Sequence, residues 1–80
     1  FLLSGLFKRA YGKGADVVID TLNLALLAEM LEVRFYRSGL DAPGLITAAQ
    51  DRAEITLIHD NETAHRTLVR QTIINLGGQP

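Results

Sequence analysis

The chain has 80 residues and a mass of 8.8 kDa, a size that fits one small domain and argues against two. It contains no cysteine, which excludes disulfides, thiolate zinc sites and a cysteine nucleophile, so any added stabilisation must come from metal or assembly. Eight Lys and Arg against nine Asp and Glu give a net charge of −1 with no basic run, which argues against nucleic-acid binding.

The first 15 residues are predicted to form an N-terminal arm, because three glycines interrupt them. Their apolar start, residues 1–3, is far too short to span a bilayer, and no transmembrane segment is expected. The chain begins with Phe rather than Met, which fits a cleaved leader or residues that are missing upstream.

A first helix is predicted over about residues 17–38. Asp16 is a suitable N-cap, and neither Gly nor Pro follows until Gly39, a residue typical of helix C-termini. Residues 38–44 have the Gly and Pro content of a short connection between helices.

A second helix is predicted over about residues 45–76, because Gly and Pro are absent there until Gly77-Gly78-Gln79-Pro80. Two long helices joined by a short loop form an antiparallel hairpin. The expected fold class is therefore all-α, with residues 16–80 as one helical hairpin.

Glu29 lies within an apolar stripe of the first helix when successive residues are spaced by about 100°. The apolar residues on its side are Val18, Leu22, Ala25, Leu26, Val33 and Tyr36. A buried carboxylate costs several kcal/mol unless it is protonated, paired or bound to a cation. Glu29 is therefore expected to have a partner.

Glu62 lies in the corresponding stripe of the second helix, with His65 three residues later. The other members of this stripe are Ile55, Ile58, Val69, Ile73 and Leu76. Residues three apart leave the same face of a helix about one turn apart, so Glu62 and His65 can reach a single ion.

Carboxylate oxygens with one imidazole suit iron, manganese or zinc better than copper. One Glu and one Glu-x-x-His are half of a dinuclear site, because the four-helix di-iron arrangement uses two of each. The hairpin would therefore need a counterpart, from a second chain or from residues beyond those present.

The segments 26–36, 61–65 and 76–80 resemble the first two helices of the ferritin-like superfamily, above all the desiccation-related ferritin-like domains. The resemblance covers about residues 16–80 and implies half of a four-helix bundle. It implies that Glu29 is a terminal metal ligand, Glu62 a bridging ligand, His65 the nitrogen ligand and Tyr36 a hydrogen-bonding neighbour. The resemblance is compatible with an exported or a cytoplasmic protein.

Two further residues could be auxiliary ligands. Glu32 could instead pair with Arg34 or Arg37, and solvated helical charge is the more common outcome for such a residue. His59, one turn before Glu62, could equally be an ordinary hydrogen-bonded helix residue.

A second apolar stripe lies on the far side of the first helix from Glu29: Val17, Leu24, Ala28, Leu31 and Phe35. An isolated hairpin would expose it, so a homo-oligomer or a larger complex is expected. The leading hypothesis is a ferritin-like metal-binding protein, with di-iron oxidative (ferroxidase-type) chemistry implied by the resemblance. The alternative is a non-catalytic helical assembly subunit in which the same residues form a metal-free buried pair.

Overall fold

The computed structural model describes residues 13–80. They form two helices, α1 (Lys13–Asp41) and α2 (Ala49–Asn75), which pack against each other along their length as an antiparallel hairpin of 53 × 16 × 13 Å. No strand occurs within the described residues. The predicted all-α hairpin is therefore confirmed.

The start of α1 lies earlier than the sequence pattern indicates. The helix begins at Lys13 rather than near residue 17, so Asp16 is an acidic residue of the first turn and not the N-cap. Ala15 is fully buried, and its packing outweighs the low helix propensity of Gly14. Residues 13–15 of the predicted arm thus belong to α1, whereas the rest of that arm lies outside the described residues.

The end of α1 also lies beyond the predicted stop, because the helix continues through Gly39 to Asp41. Leu40 is buried in this last turn, and Arg37 pairs with Asp41 across it, with Nη2 2.6 Å from Oδ1. Burial and an ion pair four residues apart both favour one more turn of helix. The local stop signal of a glycine is overridden here by tertiary contacts.

The loop between the helices includes residues 45–48, which the sequence pattern assigns to the second helix. Ala48, the residue before α2, has an extended backbone with φ −68° and ψ 127°. The Arg52 side chain reaches back and donates from Nη1 to the Ile46 carbonyl oxygen at 2.9 Å and from Nη2 to the Leu40 carbonyl oxygen at 3.2 Å. One guanidinium group therefore holds both the end of α1 and the loop, and α2 begins at Ala49.

The best-packed part of the seam lies where α1 starts and α2 ends. Ile19, Leu26 and Ile73 are its buried residues, and Leu22, Val69 and Leu76 pack against them. These six belong to the two predicted stripes or adjoin them. Burying apolar area at about 25 cal/mol per Å² makes this cluster the main source of stability in so small a chain.

The C-terminal glycines close α2 against α1. Gly77 has φ +86°, which favours glycine, and the Gly78 amide donates to the Ile73 carbonyl oxygen at 2.9 Å, as in a Schellman motif. A Cβ atom on Gly78 would lie 2.5 Å from Cγ2 of Ile19. Asn23 Nδ2 then donates to the Gln79 carbonyl oxygen at 2.9 Å and ties the tail to α1.

The second apolar stripe of α1 is exposed, as predicted for an isolated hairpin. Val17, Leu24, Leu31 and Phe35 keep between 56% and 72% of their surface accessible. Neither helix within residues 13–80 has a stretch apolar enough to cross a bilayer.

Candidate metal centre

The centre of the seam is acidic, in contrast to its apolar end. Glu29 of α1 and Glu62 of α2 face each other there, with side chains that are only 21% and 17% exposed. His65 lies on the same side as Glu62 but is 56% exposed, so it sits at the rim of the seam. The two helical stripes thus bring together the three residues that the sequence singles out.

The three side chains are close enough to share one ion after a small closure. His65 Nδ1 lies 3.6 Å from Glu62 Oε1 and 3.9 Å from Glu29 Oε1. One ligand atom of each residue lies within 4.8 Å of the other two. Ligand atoms about 2.1 Å from a common ion are separated by roughly 3–4 Å, so the most distant pair of ligand atoms needs to approach by up to about 2 Å.

The second oxygens of both carboxylates are buried without a hydrogen-bond partner. Glu29 Oε2 and Glu62 Oε2 have almost no solvent access, and no donor reaches them in the described part of the chain. A buried unsatisfied acceptor costs about 1–3 kcal/mol, and more when it carries charge. A cation or a proton at these oxygens, or a donor from further protein, would therefore stabilise the arrangement.

Glu32 brings a third carboxyl group to this centre. Hydrogen bonding with Glu62 raises the pKa of Glu32. Lost hydration and the negative charge of Glu62 also raise this pKa, whereas His65 lowers it. Such a bond requires a proton on one of the two groups, and when both are ionised neither supplies a donor. The ionised form of Glu32 is therefore disfavoured beside Glu62, and Glu32 offers this centre no positive charge.

The arginine partners that the sequence offered for Glu32 are not used. Arg37 is bound to Asp41, through the 2.6 Å contact and through Nε, which donates to Oδ2 at 3.1 Å. Within residues 13–80 no ion pair joins Arg34 to Glu32. The contact of Glu32 with Glu62 could have been predicted from the sequence. Glu32 follows the seam residue Glu29 by three positions, so it lies about one helical turn further along the same side of α1.

His59 and Tyr36 contribute less to the centre than the three principal residues. His59 is half-buried, and its Nδ1 lies 3.1 Å from Asp60 Oδ1 instead of joining the three-residue group. Tyr36 is half-buried and packs edge-on against Phe35, with ring centroids 5.4 Å apart. No hydrogen bond links Tyr36 to Glu29 or Glu62 within the described residues, so its supporting role stays a prediction.

One comparison with known proteins gives a positive result. A family model described as a ferritin-like domain matches residues 17–80, which is most of the chain and includes every residue of the centre. Neither the curated proteins nor the solved structures contain a significant match.

Proposed function

The chain belongs to the ferritin-like domain family, and on that premise we propose that it binds iron or a similar divalent ion through Glu29, Glu62 and His65. Glu29 and Glu62 would supply carboxylate oxygens from opposite helices, and His65 would supply its imidazole from the rim.

The observation that carries the proposal is the pair of buried carboxylate oxygens without partners. The helices bring two acidic groups to within reach of each other among apolar neighbours, and they offer no arginine or lysine to neutralise them in the described residues. A divalent ion would satisfy both orphan oxygens and offset both charges at once. A proton would satisfy only one oxygen at a time.

The donor set favours particular metals. Carboxylate oxygens and one imidazole nitrogen are ligands for iron, manganese and zinc, and the absence of thiolate and thioether donors disfavours copper in its reduced state. Three protein ligands also leave coordination positions open, which a closed structural site would not.

Ferritin-like oxidative chemistry would require a counterpart to this hairpin. A second hairpin, from another copy or from further chain, would contribute a second Glu and a second Glu-x-x-His. Two bound ferrous ions would then supply the chemistry of iron oxidation by oxygen or peroxide. The residues of this chain would hold the ions, exclude water through the apolar stripe and keep His65 at the rim.

Metal titration of the chelator-stripped chain tests the proposal. We expect anaerobic Fe²⁺, and separately Mn²⁺ and Zn²⁺, to bind near one ion per chain in calorimetry and to raise the melting temperature. Glu62→Gln removes one charged ligand with little change in shape and should abolish both effects. Glu54→Gln, an exposed glutamate of α2, is the matched control and should leave both unchanged. Full stoichiometry in Glu62→Gln would contradict the proposal.

A metal-free assembly subunit is the second candidate, because His65 lies within 4 Å of both glutamates and its protonated form would pair with them. In that case the purified protein would contain no iron, manganese or zinc, and its melting temperature would not change on chelation. Glu62→Gln would then weaken folding without any effect of added metal.

A further inference from the structure

The side of α1 that faces away from α2 carries an exposed ridge of leucines, which we call the outer ridge: Leu24, Leu27 and Leu31. Their spacing of three and four residues aligns them along one side of the helix. Each keeps more than half of its surface accessible, so no part of residues 13–80 covers them. We propose that the outer ridge of one chain binds the outer ridge of a second copy in antiparallel orientation.

The charges at the two ends of the outer ridge support this orientation. Asp20 precedes Leu27 by seven residues and Arg34 follows it by seven, so each lies about 10.5 Å, two helical turns, from the centre. Neither residue forms an ion pair within the described part of the chain. The ridge is therefore acidic at one end, basic at the other and apolar between them.

A second copy of the chain matches this pattern better than a partner of uniform charge. A two-fold axis near Leu27 places Asp20 of each chain opposite Arg34 of the other, so both ends are complementary. A parallel pair would instead place like charges together at both ends. A uniformly acidic or basic partner would fit one end and be repelled by the other.

The surface beside the ridge has space for the partner's side chains. A groove of about 420 Å³ is lined by Leu27, Met30 and Leu31 together with Arg34, Arg37 and Arg66. A carboxylate entering this groove would meet the guanidinium groups of Arg34 and Arg66, whereas that of Arg37 is bound to Asp41. A second groove of about 360 Å³, lined by apolar side chains and Thr21, flanks Leu24 and Leu31 and would accept the partner's leucines.

This surface is separate from the candidate metal centre. Glu29 follows Leu27 by two residues and precedes Leu31 by two, which places it about 160–200° away around the helix. Pairing through the outer ridge therefore leaves Glu29, Glu62 and His65 accessible to a second hairpin. The proposal does not depend on the proposed function.

Charge reversal tests the antiparallel pairing. Chelator-treated chain is studied by sedimentation equilibrium over a range of concentrations, with circular dichroism to show that each variant keeps its helices. We expect self-association without metal, weakened about tenfold or more by Asp20→Arg and by Arg34→Asp, because each change turns two attractive pairs per dimer into repulsive ones. The double variant Asp20→Arg/Arg34→Asp should associate within about threefold of the original chain.

Glu54→Arg, an equal change of charge on α2, is the control and should leave association unchanged. A double variant that associates as weakly as the single variants would overturn the pairing. So would a chain that stays monomeric in chelator, whether or not it binds metal. Full metal binding in Glu62→Gln, together with normal self-association, would refute the proposed function alone.

Discussion

The seam between α1 and α2 changes character along its length. Just beyond α2, Ile19 and Ile73 lie so close to position 78 that a Cβ atom there would clash with both side chains. At the centre, Glu29 and Glu62 leave two buried oxygens without partners. The apolar side chains pack against one another within the described residues, whereas the acidic centre would be stabilised by a proton, a cation or further protein. The apolar end thus stabilises the helix pair, and the acidic centre is the part for which we propose metal binding.

The largest expected change in stability comes from removing buried side-chain atoms at the apolar end of the seam. Ile73 is fully buried, so Ile73→Ala should lower the free energy of unfolding by about 2–5 kcal/mol in denaturant titration, through lost transfer energy and a cavity. Ile73→Val, with an expected loss of about 0.5–1.5 kcal/mol, serves if the alanine variant does not fold. Leu68→Ala, at an exposed position, should change stability by less than about 0.5 kcal/mol. An equal loss in the Leu68 variant would break the comparison.

Overfilling the same region should have the next largest effect. In Gly78→Ala the new methyl group would meet Ile19 Cγ2 at 2.5 Å and Ile73 Cγ2 at 3.0 Å. We expect a loss of about 1–3 kcal/mol in the free energy of unfolding, because side chains or the tail must shift. Gly14→Ala places its methyl group in open space within α1 and should be neutral or stabilising by up to about 1 kcal/mol. A neutral Gly78→Ala would show that the tail is not closely packed in solution.

At the acidic centre, removing a side-chain charge should raise the free energy of unfolding instead of lowering it. In chelator, Glu29→Gln removes one of three neighbouring carboxylate charges and is expected to raise the free energy of unfolding by about 0.5–1.5 kcal/mol. Thermal unfolding of both proteins with and without Fe²⁺ measures the effect, and metal should stabilise only the original chain. A less stable metal-free Glu29→Gln protein would mean that the glutamate has a stabilising partner of its own.

The smallest effect is expected at a charged pair outside both regions. The Arg37 guanidinium beside Asp41 lowers the pKa of that carboxyl group. The Asp41 carboxylate in turn raises the pKa of Arg37. Because the folded-state pKa of Asp41 lies below the unfolded value, the pair stabilises the fold above the unfolded pKa and loses this contribution as pH falls through the folded one. Asp41→Asn should therefore be slightly less stable at neutral pH and equal to the original chain at pH 2. The pair is solvent-exposed, and a large effect at neutral pH would be unexpected.

The features that the sequence predicts well are those set by periodicity. Gly and Pro punctuation predicts two helices, and a repeat of about 3.6 residues places Glu29, Glu62 and most of the two apolar stripes in the seam. Three predicted members of these stripes are instead exposed: Val18, Ala25 and Ile58. Gly77 ends α2 as expected, because only glycine readily adopts the positive φ that this position requires. Helix positions, helix faces and helix stops of this kind depend on residues close together in the chain, so they can be predicted from the sequence alone.

The errors occur at helix ends and at contacts between distant residues. Asp16 is not a cap and Gly39 does not end α1, because burial of Ala15 and Leu40 extends the helix at both ends. The clamp formed by Arg52 joins residues six and twelve positions away, and no motif announces it. Alternative end positions of one helix differ little in free energy, so a single tertiary contact can shift the end by about one or two residues.

The sequence by itself therefore determined the hairpin, the inward direction of two carboxylates and the exposed second stripe, because side-chain direction follows from position along a helix. Only the tertiary structure decided how α1 and α2 are aligned lengthwise. That alignment places Glu29 opposite Glu62 within reach of His65, brings Glu32 to Glu62, and leaves two buried oxygens unpaired. It results from the sum of many apolar contacts and the Arg52 clamp, each too dependent on residues far along the chain to be visible in a local pattern.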